Sequence, residues 1–197
     1  MQKKRKKTIK IDVDGVIRDI VTTMCNCYNG LFGTDMTTED VVLYNVNNLF
    51  PKIREKYGIE PSEFFFDRLS HAVFESVSKP FEGVSEAIGT LMEHGYKAVI
   101  VTWQFSKANK IHTLNFLERY NIPYDDICFT KDKWMIKGDY LIDDNPEFIT
   151  DKRDKSEKIL VDAAYNRKLS KNYTRVKSLK EAVEYIISKE NKIKKAA

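Results

Sequence analysis

Two aspartates one residue apart, Asp12 and Asp14, close a short apolar segment in the stretch I-K-I-D-V-D-G-V-I-R-D, residues 9–19. Ile9, Ile11 and Val13 alternate as strand residues do, and residues two apart on a strand face the same side. Asp12 and Asp14 therefore share a side where the strand gives out, and Gly15 lets the backbone turn sharply without a Cβ penalty. Carboxylates this close oppose each other's ionisation unless a cation neutralises them. Mg²⁺ suits the place: a hard ion that takes carboxylate oxygens and leaves room for water and phosphate. One carboxylate can then act as nucleophile while its neighbour donates and accepts a proton. A solvated Asp-rich turn has the same letters, so the later strand ends decide between the two.

The bulk numbers set the frame. At 197 residues the chain suits one domain with room for a sub-domain insertion and a full core. Hydrophobic residues at 42% beside 31% charged are those of a soluble globular protein. No apolar run approaches a membrane span, and the segment after M-Q-K-K-R-K-K is too short for a signal-peptide core, so a cytoplasmic protein is expected. Net charge is +4, yet residues 3–10 and 189–197 together contribute +9, leaving −5 for the rest. A nucleic-acid groove would place its basic excess on the folded body. The ends read as solubilising tails, or as weak polyanion-binding and nuclear-signal segments. Cys25, Cys27 and Cys128 make no zinc pattern and read as free thiols. His71, His94 and His112 read as packing or surface residues.

Along the chain, Ile20, Val21, Met24, Tyr28 and Leu31 recur at helical spacing, with Gly30 and Gly33 marking the end. Thr37–Asp40 resembles a helix start, residues 44–50 read as loop, and Pro51 opens a short helix stopping near Gly58. Residues 60–77 read as a helix, completing a mostly helical block that ends at Pro80. Helices are then expected at 83–94, at 106–120 and after the capping box Ser178-Leu-Lys-Glu181. Strands are expected at 98–102, 126–130, 140–142 and 158–161. This alternation predicts a doubly wound parallel α/β sheet. In such sheets ligands sit beyond the carboxyl ends of the strands. Residues 1–20 and 79–197 would form the core, and 21–78 a helical insertion over that end.

Those ends carry further polar groups. The strand at 98–102 ends in Thr102, whose hydroxyl can donate to a phosphate oxygen without adding charge. The segment D-Y-L-I-D-D-N ends in a second carboxylate pair, Asp143 and Asp144, and T-K-D-K-W before it holds Lys131 and Lys133. A lysine among carboxylates can hold a phosphate and offset a nucleophile's charge.

Asp-x-Asp, then Thr, then Lys, then Asp-Asp, each beside a strand end, resembles the haloacid dehalogenase-like phosphatases from Ile9 to about Glu147. The resemblance implies that Asp12 attacks phosphorus and that Asp14 protonates the leaving oxygen and later activates water. It also implies that Thr102 and Lys133 bind the phosphoryl group, while Asp12, Asp14 (through its carbonyl), Asp143 and Asp144 serve Mg²⁺. Within that superfamily the chain is similar to the 5′(3′)-deoxyribonucleotidases. The opening motif carries the later aspartate, Asp19; a small helical cap follows the first strand, then K-P-F-E-G-V-S-E-A. D-K-W-M-I-K-G-D-Y-L-I-D-D resembles the family's D-K-x-x-x-x-G-D-x-L-I-D-D. This register selects Lys133 over Lys131 and makes Asp144 the direct ligand, with Asp143 supporting it.

Two positions depart from the family pattern. Ile20 stands where an aromatic is usual, altering a wall of the base pocket, and Trp103 follows Thr102 where a small residue is usual. Trp103 can stack on a base or narrow the site. Tyr44, Phe64, Phe65 and Phe66 can stack on a base too, with at least two of the three Phe expected in the insertion's own core. Arg18 is expected either on substrate phosphate or in a surface pair. The expected substrate is a small molecule, a nucleoside monophosphate. The alternatives are a polynucleotide end or sugar phosphate, or a non-catalytic nucleic-acid-binding module using the basic tails. Monomer and homodimer both stay open.

Overall fold

β1 (Thr8–Ile11) lies inside the sheet, with Ile9 and Ile11 buried on one face and Lys10 buried on the other. In the structure, a computed structural model describing residues 5–169 and 172–196, the chain then runs through helix α1 (Ile20–Phe32), capped by the Asp19 carboxylate, which accepts from the Thr22 amide. α2 (Pro51–Tyr57) and α3 (Pro61–Glu63) follow, both opened by proline. After α4 (Val84–Glu93) come β2 (Lys97–Thr102), α5 (Lys107–Arg119), β3 (Asp126–Phe129) and β4 (Tyr140–Asp143). The chain ends with α6 (Pro146–Thr150), β5 (Glu157–Val161), β6 (Thr174–Val176) and α7 (Leu179–Ala196).

The six strands are ordered β3-β2-β1-β4-β5-β6, and every neighbouring pair is parallel. Strand order reverses at β1, so a crevice opens beyond the carboxyl ends of β1, β2 and β4. Ile9 and Ile11 pack with Val84, Ile88 and Leu91 of α4, Phe116 of α5 and Val183 and Ile186 of α7. On alternation, Lys10 and Asp12 face the other side. The expected doubly wound sheet is the observed one.

A second apolar cluster gathers Ile20, Met24, Tyr28, Phe50, Ile53, Phe64, Phe65, Val73 and Phe74, all between β1 and α4. Phe50 and Phe65 are wholly buried and meet edge to face at 4.9 Å. Burial of each such ring contributes roughly 1.5–3 kcal/mol, so this block has a core of its own. Two local expectations need correction. Residues 60–77 are helical but not one α-helix: Phe64–Arg68 and Ala72–Ser76 wind as π-turns, a widening favoured at functional sites. Thr37–Asp40 yields one 3₁₀ turn, Thr38–Asp40, instead of a longer helix. β6 was not expected, because T-R-V is too short for alternation to show.

Residues 1–4 of the basic N-terminal run lie outside the described residues. The next ones dock on the fold: Arg5 donates to Asp139 at 2.9 Å, and Lys7 Nζ to Glu190 at 2.6 Å. Tyr140 also donates to Glu190, at 2.6 Å, joining α7 to β4. Burial pushes the Glu190 carboxyl up, but Lys7 and Tyr140 outweigh it and hold it below the usual range. A depressed folded value stabilises above the unfolded one, about 4.3, and that contribution is lost as pH falls through the folded value. Urea midpoints should therefore drop less steeply below pH about 4.3 in Glu190→Gln than in the parent.

Candidate active site

Asp12 leaves the end of β1 with its amide still bonded to the Ile142 carbonyl at 3.0 Å, which fixes it against β4. Gly15 then adopts φ 78°, and a Cβ there would overlap the Asp144 carboxylate. The glycine is required by conformation and by space alike.

Lys133 opens the 3₁₀ turn Lys133–Met135 and is buried. Its Nζ lies 2.8 Å from Asp12 Oδ1 and 2.7 Å from Asp143 Oδ2. Asp143 also accepts from the Asn145 amide at 2.9 Å, so both its oxygens are engaged behind the cavity wall. Asp144 reaches the cavity itself, where Tyr165 donates to its Oδ2. One oxygen each of Asp12, Asp143 and Asp144 lies within 4.8 Å of the others. Burial pushes the Asp12 carboxyl up to about 7 against the pull of Lys133, with Asp143 and Asp14 adding repulsion. Burial, then Asp143 and Asp12, push Asp144 well above the usual range too. For Lys133 the two carboxylates overcome burial and hold the ammonium charged. A cluster of hard oxygen donors that resists its own ionisation fits a small divalent cation.

Asp14 sits one pleat further on and is held from both sides. Arg18 Nε donates to Oδ1 at 2.7 Å and Gln104 Nε2 to Oδ2 at 2.8 Å. Arg18 corrects an expectation: it is neither on the surface nor open to substrate, but wholly buried. Its remaining nitrogens donate to the Phe74 carbonyl at 2.6 Å and to Thr113 Oγ1 at 3.2 Å. Its guanidinium also lies over the rings of Phe74 and Phe116.

A cavity of about 400 Å³ opens on this group of residues, a volume within the range of small-molecule sites, about 300–1,000 Å³. Asp12, Asp14, Thr102 and Asp144 form its polar floor. Ile20, Tyr44, Trp103, Phe105, Phe66 and Phe74 give it apolar walls. Trp103 packs on Phe105 at 4.3 Å, and Phe105 stacks on Phe66 at 5.7 Å. Phe64 and Phe65 stay in the insertion's core, as expected of two of the three phenylalanines. Lys131 lies over Trp103, 4.8 Å from the ring centroid, apart from the Lys133 contacts.

The structure thus brings together all the expected residues: Asp12, Asp14, Asp143, Asp144 and Lys133, with Thr102, Trp103, Ile20 and Tyr44 on the cavity. The sequence reading missed Gln104, Phe105 and Tyr165. Tyr165 follows β5, and a parallel sheet turns that strand end towards the same crevice. Gln104, two residues past Thr102, shares its side of the chain. Both signals were readable.

Residues 6–192 match the model of the family described as "5' nucleotidase, deoxy (Pyrimidine), cytosolic type C protein". The chain belongs to that family. A relative in Chlorobaculum tepidum, described as "Putative 5'(3')-deoxyribonucleotidase", is 30% identical over 76 residues, 36% of this chain and 38% of its own length. The alignment thus spans well under half of that relative. Among solved structures, a haloacid dehalogenase-like protein of unknown function from Agrobacterium tumefaciens superposes with TM-score 0.65 at 13% identity, covering 94% of this chain and 100% of its own. A Bacillus subtilis hydrolase of the same superfamily, solved bound to magnesium, gives TM-score 0.58 at 15% identity, covering 93% and 99%. These likenesses show that the nucleotidase-family chain has the haloacid dehalogenase fold. Among its described residues no helix is long and apolar enough to cross a membrane.

Proposed function

We propose that the protein is a Mg²⁺-dependent phosphatase of nucleoside monophosphates, with deoxyribonucleotides preferred, working through an aspartyl-phosphate. One observation carries the reading: the bridge of Lys133 between Asp12 and Asp143 lies beside a cavity whose walls are aromatic. Phosphoryl transfer asks mainly for positioning and charge neutralisation, and the floor supplies both. Asp12, Asp144 and the Asp14 carbonyl would hold the ion, with Asp143 supporting, and the ion would offset phosphate charge. An Asp12 oxygen attacks phosphorus as the bond to the leaving oxygen breaks, and Asp14 gives that oxygen its proton. In the second half Asp14 takes a proton from water, which attacks phosphorus and frees Asp12 and phosphate. Thr102 and Lys133 hold the phosphoryl oxygens throughout. Tyr44, Trp103, Phe105 and Phe66 offer faces on which a base can stack. Residues 21–78 act as a cap over the site, joined to the core at Asp19 and Lys79, whose amide and carbonyl bond at 2.9 Å.

The reading predicts kcat/KM for deoxyribonucleoside monophosphates at least about ten-fold above that for sugar phosphates, because each stacked base contributes about 1–3 kcal/mol. Phosphate release from a panel of both, with a 3′-phosphorylated oligonucleotide included, measures it. Faster hydrolysis of the oligonucleotide than of any mononucleotide would replace this reading with a polynucleotide-end phosphatase.

A further inference from the structure

Lys10 is a lysine wholly buried inside a parallel sheet, where an ammonium is costly unless paired and bonded. It stands two residues before Asp12 on β1, on the same side of the strand. Its Nζ donates to the Lys133 carbonyl at 3.1 Å and to Asp154 Oδ2 at 2.5 Å. β1 therefore grips Lys133 at both ends, Lys10 on its carbonyl and Asp12 on its ammonium. The surroundings are built for this contact. A Cβ on Gly138 would come within 2.8 Å of Lys10 Cγ, so only glycine leaves room for the lysine stem. Asp154 is oriented by the Ser156 amide at 3.0 Å, and Lys158 Nζ lies 3.2 Å from it. The Asp154 carboxyl stays below its usual range, because these partners outweigh the effect of burial.

We propose that Lys10 is a positioning residue for Lys133: with Asp154 as counter-charge, it holds the turn at Lys133–Met135 so that the Lys133 ammonium meets Asp12. The proposal rests on the phosphatase reading for its kinetic consequence alone; the mechanical role of Lys10 stands apart from it. Fold stability by itself gives no reason for the charge, since an apolar side chain in place of a buried ion pair is often neutral or stabilising. Lys133 has no other described side chain on its carbonyl, and a misplacement of about 1 Å at a positioning group costs about 10²-fold in rate.

The test compares the full-length parent with Lys10→Met, Lys133→Met and the double variant. Lys10→Met leaves Asp154 paired with Lys158. Should it fail to fold, Lys10→Met with Asp154→Leu removes both charges and takes its place. Amide exchange is read first, without substrate. Met135 donates to the Asp132 carbonyl and Ile136 to that of Lys133. Exchange at these two amides should rise about ten-fold or more, with the β1 and β2 amides unchanged. In turnover, kcat should fall about ten-fold or more, with KM changed less. Combined with Lys133→Met, the Lys10 change should add no further loss, since it acts through Lys133. Unchanged exchange, kcat within about two-fold of the parent, or a full additive loss in the double variant would each overturn the proposal. If the parent itself releases no phosphate, the phosphatase reading fails and the exchange result alone decides the role of Lys10.

Discussion

Asp12→Asn loses turnover by at least about 10⁴-fold while the protein stays folded, because an amide cannot form the aspartyl-phosphate on which both half-reactions depend. The expected stability change runs the opposite way to that of most core substitutions. The Asp12 carboxyl is pushed up to about 7, first by burial and then by its acidic neighbours, so ionisation there opposes folding. Asn removes that cost and leaves Lys133 paired with Asp143 at 2.7 Å. In EDTA, where loss of a metal ligand does not enter, the melting temperature should be unchanged or higher. Phosphate release with Mg²⁺ and a thermal melt in EDTA, on one preparation, check both halves. A variant with near-normal rate contradicts covalent catalysis by Asp12.

Arg18→Met strikes stability and rate together. The guanidinium is the shared partner of Asp14, the Phe74 carbonyl and Thr113, which belong to the opening motif, the insertion and α5. Losing it leaves a buried carbonyl and hydroxyl without a donor and Asp14 without its charge partner. Leaving these two buried groups unsatisfied costs on the order of 3 kcal/mol. Gln104 still holds one oxygen of Asp14 at 2.8 Å, so the carboxylate keeps one anchor and turns more freely about it. General acid–base catalysis is worth about 10²–10⁴-fold, and a loss in kcat near the lower figure is expected, measured well below the lowered melting point. Arg18→Lys should not restore it, since a point charge cannot reach three partners in a planar fork. Full activity in Arg18→Met would show that Gln104 alone orients Asp14.

The residues that were legible in the sequence share a physical reason. Asp12, Asp14, Thr102, Asp143 and Asp144 each break an apolar strand at its end, and a parallel sheet gathers such ends on one side. Lys133 over Lys131 needed the register of D-K-W-M-I-K-G-D; the structure places Lys133 between two carboxylates and Lys131 over Trp103. The burial of Arg18 was hidden because, besides nearby Asp14, its partners lie far along the chain at Phe74 and Thr113, and local charge patterning reports only neighbours on one element. Lys10 was hidden because it closes the basic run of residues 3–10, which reads as a solubilising tail, whereas the structure buries it in β1. The π-turns around Phe66 share the apolar content of an ordinary helix, and hydrophobic spacing over so few residues does not separate five-residue from four-residue closure. Phe66 sits in the first of these turns, packed against the insertion's core on one side and stacked on Phe105 at the cavity on the other.

The most direct test of the account is phosphate release from deoxyribonucleoside monophosphates, run with Mg²⁺ and with EDTA on one preparation. Three carboxylates converging within 4.8 Å predict turnover with Mg²⁺, loss of at least about 10²-fold in EDTA, and recovery when Mg²⁺ is restored. Equal rates in EDTA and Mg²⁺ would contradict the assignment of Asp12, Asp143 and Asp144 to a metal, and no release under either condition would contradict the nucleotidase reading itself.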